Sequence, residues 1–451
     1  MNNLNADLVL TELKAYINNR VEECCLAIKD GEIVKIGKEA SMPQAYKRLS
    51  LNNLLALPGL IDVHVHLRDE GKAYKEDFYS GTAAAAAGGI TTVLDMPNND
   101  PVTMSLETLR NRIKSAIGKI LVNVGFYCEF PEDLQEIGKL VEEGVLAFKL
   151  FLNEQKGGLN INDDQAIIEA FKMVAPMVPI AVHSEDNELL KKAQEALRRN
   201  GFNDVEAFLK VHSKDAEVKG VKRVLAIVNK AGKSAHICHI STRESLEAIC
   251  HNKKVAVPVT CEVAPHHLLL SIDDLKKFGT LSLTAPPLRE KVQVEALWMG
   301  LKRGLIDVIS SDHAPHTVEE KIKSSVWEVN VGIPGLETTL PLLLTEMNRK
   351  RLSIAEIVKL MAENPSKIFG LKGRGSLKEG NKADLVVIDP KKEGIIDSSK
   401  FYSKAKYSPF DGRRVKGKPV KTFVCGKLVM DEGDVVAEAG SGEIVRRKMY
   451  Y

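Results

Sequence analysis

Between Pro58 and Leu371 the chain repeats one unit eight times: a short apolar run that reads as a strand, then, in most cases, a helical stretch. The runs are 57–65, 91–96, 122–128, 146–152, 180–185, 234–240, 259–265 and 308–314, and helical segments at 105–117, 131–143, 163–175, 243–249 and 292–301 lie between them. Runs this continuously apolar are strands covered on both faces. Eight strand–helix units of this kind point to the α/β class and to a closed (β/α)8 TIM barrel rather than an open doubly wound sheet. No Gly-x-Gly-x-x-Gly follows the first run, which weakens a dinucleotide-binding reading.

The flanks have a different texture. Short candidate strands at 7–10, 24–29 and 32–36 surround a turn at Asp30-Gly31, and similar ones at 384–389, 420–424 and 427–430 surround a turn at Cys425-Gly426. Neither flank holds enough strands for a robust sheet alone. The expectation is therefore a small β-sandwich formed by both termini, with 1–57 and 373–451 as its two parts and 58–372 as the barrel. With 451 residues, 44% of them hydrophobic and 27% charged, the chain is long enough for that plan and has an ordinary globular composition.

Charge and composition remove several function classes. The formal net charge is only +3, and aromatics at 5% offer no stacking platform, so there is no case for nucleic acid. Basic clusters at Arg413-Arg414 and Arg446-Arg447-Lys448 are adequately read as solvated surface. Seven cysteines, an odd count without a Cys-x-x-Cys pair, fit small core residues in a reducing cytoplasm. No run approaches the ~20 apolar residues of a membrane span, and the N-terminus lacks a signal-peptide core.

In a (β/α)8 barrel, chemistry collects at the carboxyl ends of the strands. The first run ends in Asp62-Val63-His64-Val65-His66, and alternation puts both histidines on one face. Alone, His-x-His is as readily a polar strand terminus as half of a metal site. Other ends change the balance. Lys149 sits inside the apolar fourth run, where an unpaired ammonium must snorkel, pair or be chemically altered. The fifth run ends in His183. The sixth holds His236 and His239, whose separation of three lets at most one face the barrel. The eighth delivers Asp312, a residue type able to bind metal and shuttle a proton. Four histidines, the lysine and the aspartate converge on one mouth. With a carbamate formed from Lys149 and CO2 as a bridge, they suit a pair of divalent cations. His212, His251, His266 and His267 read as hydrogen-bonded structural groups.

These segments resemble the amidohydrolase superfamily, and within it the dihydroorotases of pyrimidine biosynthesis. The resemblance runs through 58–69, 85–93, Asp95-Met96-Pro97-Asn98, Phe148-Lys149-Leu150-Phe151, Asp312-His313-Ala314-Pro315-His316, 332–338 and 378–385. It implies that His64, His66, carbamylated Lys149, His183, His239 and Asp312 hold two zinc ions, with Asp312 also the proton carrier. It implies that Arg68, Asn98 and His316 hold a substrate carboxylate, and that 152–159, with Gly157-Gly158, is a mobile loop closing over the site. Two positions depart from the family pattern: Glu70 stands where Pro is frequent, and Ala285 stands where Asn often precedes Pro-Pro-Leu-Arg.

The implied reaction is reversible cyclisation of N-carbamoyl-L-aspartate to dihydroorotate. The implied partners are that small molecule and, for some members, further copies of the chain or aspartate transcarbamoylase. The rivals are an allantoinase, or a cyclic amidase of hydantoinase or dihydropyrimidinase type, whose substrates lack the ring carboxylate. An inactive scaffold relative is the non-enzymatic rival, and it would be expected to have lost metal ligands.

Overall fold

The computed structural model describes residues 5–447; Met1 to Leu4 of the N-terminal segment and Lys448 of the last basic cluster lie outside them. Eight parallel strands follow one another in chain order: Leu60–Val65, Ile90–Asp95, Asn123–Glu129, Ala147–Phe151, Ile180–His183, Ala235–Ile237, Val259–Val263 and Val308–Ile309. The ring closes where Val65 bridges His313 in parallel and the His66 amide donates to the His313 carbonyl at 2.8 Å. The first four strands are buried at every residue, as a sheet wrapped by helices requires. Several of the helices begin at the residues their sequences offer as caps. Ser105 and Thr108 form a capping box for Leu106–Ala116, and Asp163 caps Asp164–Met173.

The two flanks build one sheet. Leu55–Pro58 pairs antiparallel with Leu385–Ile395, joining the N-terminal strands to the C-terminal ones in a nine-stranded network. Its core draws Leu10, Leu13 and Ile28 from one end of the chain and Leu385, Val387 and Phe423 from the other. Among its strands, Ala45–Ser50 and Leu55–Pro58 were not anticipated. The apolar run 57–65 divides at Gly59, a position that admits no side chain, since a Cβ there would stand 2.2 Å from Thr91 Oγ1. Residues before Gly59 belong to the terminal sheet, and those after it belong to the barrel. The chain end returns to the barrel, where Ile444–Val445 pairs with Val124 and Gly125.

Two barrel strands are shorter than their apolar runs predict. The sixth stops at Ile237 rather than near Ile240, and the eighth stops at Ile309 rather than near Ala314. In both cases the chain turns where a site residue adopts positive φ: His239 at 31° and Asp312 at 48°. The turn after the eighth strand is held by Asp62, whose carboxylate accepts from the Ser311 amide at 3.0 and 3.2 Å.

Candidate active site

The strand ends surround a cavity of about 290 Å³ whose wall includes His64, His66, Arg68, Asn98, His183, His239, Asp312 and His316. Lys149 lies fully buried on the fourth strand. The structure thus brings together eight of the nine residues singled out from the sequence in one wall, with the ninth buried on a strand of the same barrel. Arg68, His239 and Asp312 all have positive φ, an unfavourable conformation for such side chains and one that concentrates at functional sites.

Three of the four histidines are oriented by a partner on the outer nitrogen. His64 Nδ1 bonds Glu262 at very short range, His66 Nδ1 bonds Asn98 Oδ1 at 2.6 Å, and His183 Nε2 bonds Glu185 at 2.8 Å. A carboxylate or carbonyl acceptor takes the ring N–H, so the lone pair is left on the nitrogen facing inward. The inward atoms converge: His64 Nε2 is 3.4 Å and His66 Nε2 3.7 Å from Asp312 Oδ1, and His183 Nδ1 is 3.1 Å from His239 Nε2. His239 Nδ1 is buried with no hydrogen-bond partner.

The electrostatics agree with uncharged imidazoles. Burial, then the Lys149 ammonium, brings His64 down to about 4. Burial and neighbouring cations hold His66 and His239 well below the ordinary histidine value, and His183 is also lowered. Burial, then the Glu262 charge, raises Asp312 well above the usual carboxylate range. Neutral imidazoles and a carboxylate crowded together are a donor set for divalent cations, and His64, His66 and Asp312 offer ligand atoms within 4.8 Å of one another. A cation between His183 Nδ1 and His239 Nε2 would also resolve two nitrogens that otherwise compete for one proton. The residues therefore fit a metal centre.

Lys149 makes no ion pair among the described residues. Its ammonium meets Cys238 Sγ at 2.9 Å and the Phe151 ring at 4.9 Å. Snorkelling is excluded by complete burial, which leaves a cation in a poorly matched place.

Several functional contacts were not legible in the sequence. Glu262 accepts from His64 with one oxygen and lies 3.1 Å from His236 Nε2 with the other. The expectation that only one of His236 and His239 could face the interior assumed a continuous strand. The ladder ends at Ile237, so His236 bonds Glu262 from below, while His239 turns into the cavity and places its amide 3.2 Å from the same carboxylate. His212 is a hydrogen-bonded group, as expected, and its partner is Glu185 at 2.8 Å, the carboxylate that also holds His183. His266 and His267 are buried and His251 is exposed, none of them lining the cavity.

Arg68 is buried and has no carboxylate partner among the described residues; Nε donates to the Pro315 carbonyl at 3.2 Å, and Nη2 lies 3.2 Å from His316 Nε2. The segment after the fourth strand lies on the cavity through Asn153, Glu154 and Lys156. Ala285 reaches the wall too, whereas Glu70 lines a separate surface hollow with Asp100 and Pro101.

A (β/α)8 barrel carrying this histidine-rich mouth defines a class, and the comparison with known proteins agrees with it: the chain belongs to the amidohydrolase family, whose profile matches residues 55–429. Among its relatives, a dihydroorotase of Methanothermobacter thermautotrophicus is 37% identical, covering 92% of this chain and 93% of that protein. A dihydroorotase of a Geobacter species is 38% identical over 90% and 94%. An L-hydantoinase of Paenarthrobacter aurescens is 32% identical over 98% and 99%. A solved L-hydantoinase from Arthrobacter aurescens superposes with a TM-score of 0.94 at 32% identity, covering 98% and 100%.

Proposed function

We propose that the chain is a dihydroorotase, interconverting dihydroorotate and N-carbamoyl-L-aspartate in pyrimidine biosynthesis. The observation that carries this reading is Arg68, a buried guanidinium in the cavity wall with no carboxylate of its own to pair with. Its planar fork matches a ring carboxylate by paired charge-assisted bonds. Asn98 spends its carbonyl oxygen on His66 and retains its amide N–H for the same ligand, and His316 stands beside the guanidinium. The relatives named dihydroorotase support the same substrate class.

His64, His66, His183, His239 and Asp312 would hold two zinc ions, with Lys149 as a bridging carbamate. Carbamate formation joins the lysine nitrogen to CO2 and releases two protons, one from the ammonium and one on forming the N–C bond, so that an anion would replace the ill-placed cation. The ions would supply hydroxide at neutral pH and polarise the scissile carbonyl. Asp312 takes the proton from the attacking water and delivers it to the leaving ring nitrogen; cyclisation runs the same transfers in reverse. The scaffold alternative is disfavoured because every expected ligand is retained. Seven cysteines without a disulfide support a reducing, cytoplasmic setting, and no helix among the described residues is long and apolar enough to cross a membrane.

The second reading is a hydantoinase, favoured by the L-hydantoinase likeness over nearly the whole chain. Arg68 separates the two. Arg68→Met should remove charge-assisted bonds worth about 1.5–3 kcal/mol each from kcat/KM on dihydroorotate, and Arg68→Lys should not restore them. A neutral ring such as hydantoin should be far less affected. Equal losses on both would make Arg68 structural and return weight to the hydantoinase reading.

A further inference from the structure

We propose that Lys72 is a second cationic determinant of substrate choice, set beside Arg68 in the cavity wall and favouring anionic ligands over neutral ones; the inference rests on the dihydroorotase reading. Four cationic side chains line the cavity: Arg68, Lys72, Lys75 and Lys156. Two are compensated locally, Lys75 by Glu320 at 2.8 Å and Lys156 by Glu154 at 2.6 Å. Arg68 is not, and neither is Lys72. The Lys72 ammonium donates to the backbone carbonyl of Asn98 at 2.9 Å and makes no ion pair among the described residues.

Its setting is electrostatically unfavourable without a ligand. Lys72 is half-buried, and desolvation followed by the charges of Arg68, Lys156 and Lys75 lowers its pKa, an effect that the Asp100 charge offsets only in part. Like charges gathered on one wall repel one another, and an entering carboxylate relieves that repulsion. Two uncompensated cations face a substrate pair whose ring form carries one carboxylate and whose opened form carries two. A neutral hydantoin would relieve nothing. Lys72 thus acts on the encounter and binding of an anion, in contrast to the bidentate grip assigned to Arg68.

A competing role is mechanical, since the Lys72 hydrogen bond braces Asn98, which in turn holds His66. The test separates them. Metal-replete wild type, Lys72→Gln and Lys72→Arg are compared for kcat/KM on dihydroorotate across ionic strength, and for metal affinity by chelator competition. Lys72→Gln should lower kcat/KM about fivefold at low salt, chiefly through KM, and flatten its decline with added salt, with metal affinity unchanged. Lys72→Arg should keep both the rate and the salt slope. Unchanged kcat/KM in Lys72→Gln overturns the inference. So does a loss that leaves the salt slope intact and weakens metal binding, which is the signature of a brace. Wild type that turns over no dihydroorotate overturns the functional reading and this inference with it; active wild type beside an indifferent Lys72→Gln overturns the inference alone.

Discussion

A buried carboxylate is tolerated only when hydrogen bonds and opposite charge replace the water it has lost. Glu262 meets that condition with His64 on one oxygen and His236 on the other, and the pair of imidazoles holds its carboxyl well below the usual range despite complete burial. Its consequence for the site is the orientation of His64, whose inward nitrogen is left free. Glu262→Gln should therefore weaken metal affinity about 10- to 100-fold while the protein still folds, as measured by chelator competition alongside a thermal melt. Unaltered affinity would deny Glu262 this role. Lys149 was legible in the sequence because it interrupts an otherwise unbroken apolar run. Glu262 was not, because Thr260 and Cys261 precede it and the residue looks like a polar strand end. Its partner His64 lies 198 positions away, a distance that no local pattern spans.

Apolar periodicity located all eight barrel strands, but not their ends. The sixth and eighth runs continue, largely as apolar or small residues, past the last residue of each strand, so composition could not mark the turns at His239 and Asp312. Those turns are set by long-range contacts, Asp62 to Ser311 among them. The segment after the fourth strand shows another such constraint. A Cβ on Gly158 would stand 2.4 Å from the backbone nitrogen and Cα of Glu132, atoms that cannot swing aside. The Gly158 amide also donates to the Phe130 carbonyl at 3.0 Å. Gly158→Ala should push the segment off this seat and disturb Asn153, Glu154 and Lys156 in the cavity wall, at a stability cost of about 1–3 kcal/mol. The expected result is a raised KM together with a lower Tm. Wild-type values of both would mean that the segment is not seated here.

At the scale of the whole molecule, the terminal sheet is tied to the barrel through buried polar contacts as well as apolar ones. Asp384, at the entrance to the strand Leu385–Ile395, accepts from Asn123 of the third barrel strand at 3.1 Å and from the Cys425 amide at 2.7 Å, and pairs closely with Arg374. That the termini combine was legible because neither flank could form a sheet alone; which strands join them was not, since Leu55–Pro58 hides inside a longer apolar run. A second tie has a pH signature. Glu337, on a barrel helix, accepts from the Tyr402 and Ser403 amides at 2.8 and 3.3 Å. Desolvation outweighs those bonds and raises its carboxyl from 4.5 to about 8. The folded chain keeps a proton there that the unfolded chain releases, so this contribution is complete below the unfolded value and is lost as pH rises through about 8. Glu337→Gln removes the titration. Its Tm relative to wild type should therefore improve between about pH 5 and about pH 9. A difference that stays constant with pH would contradict the assignment.

Selection of a cyclic amide bearing a carboxylate is the property on which the proposed function rests. The most direct measurement is kcat/KM of the metal-replete wild-type protein on dihydroorotate, hydantoin and allantoin under one set of conditions. Dihydroorotate should be turned over with the highest kcat/KM, and N-carbamoyl-L-aspartate should be cyclised in the reverse assay. Efficient turnover of hydantoin or allantoin with dihydroorotate left untouched would contradict that function.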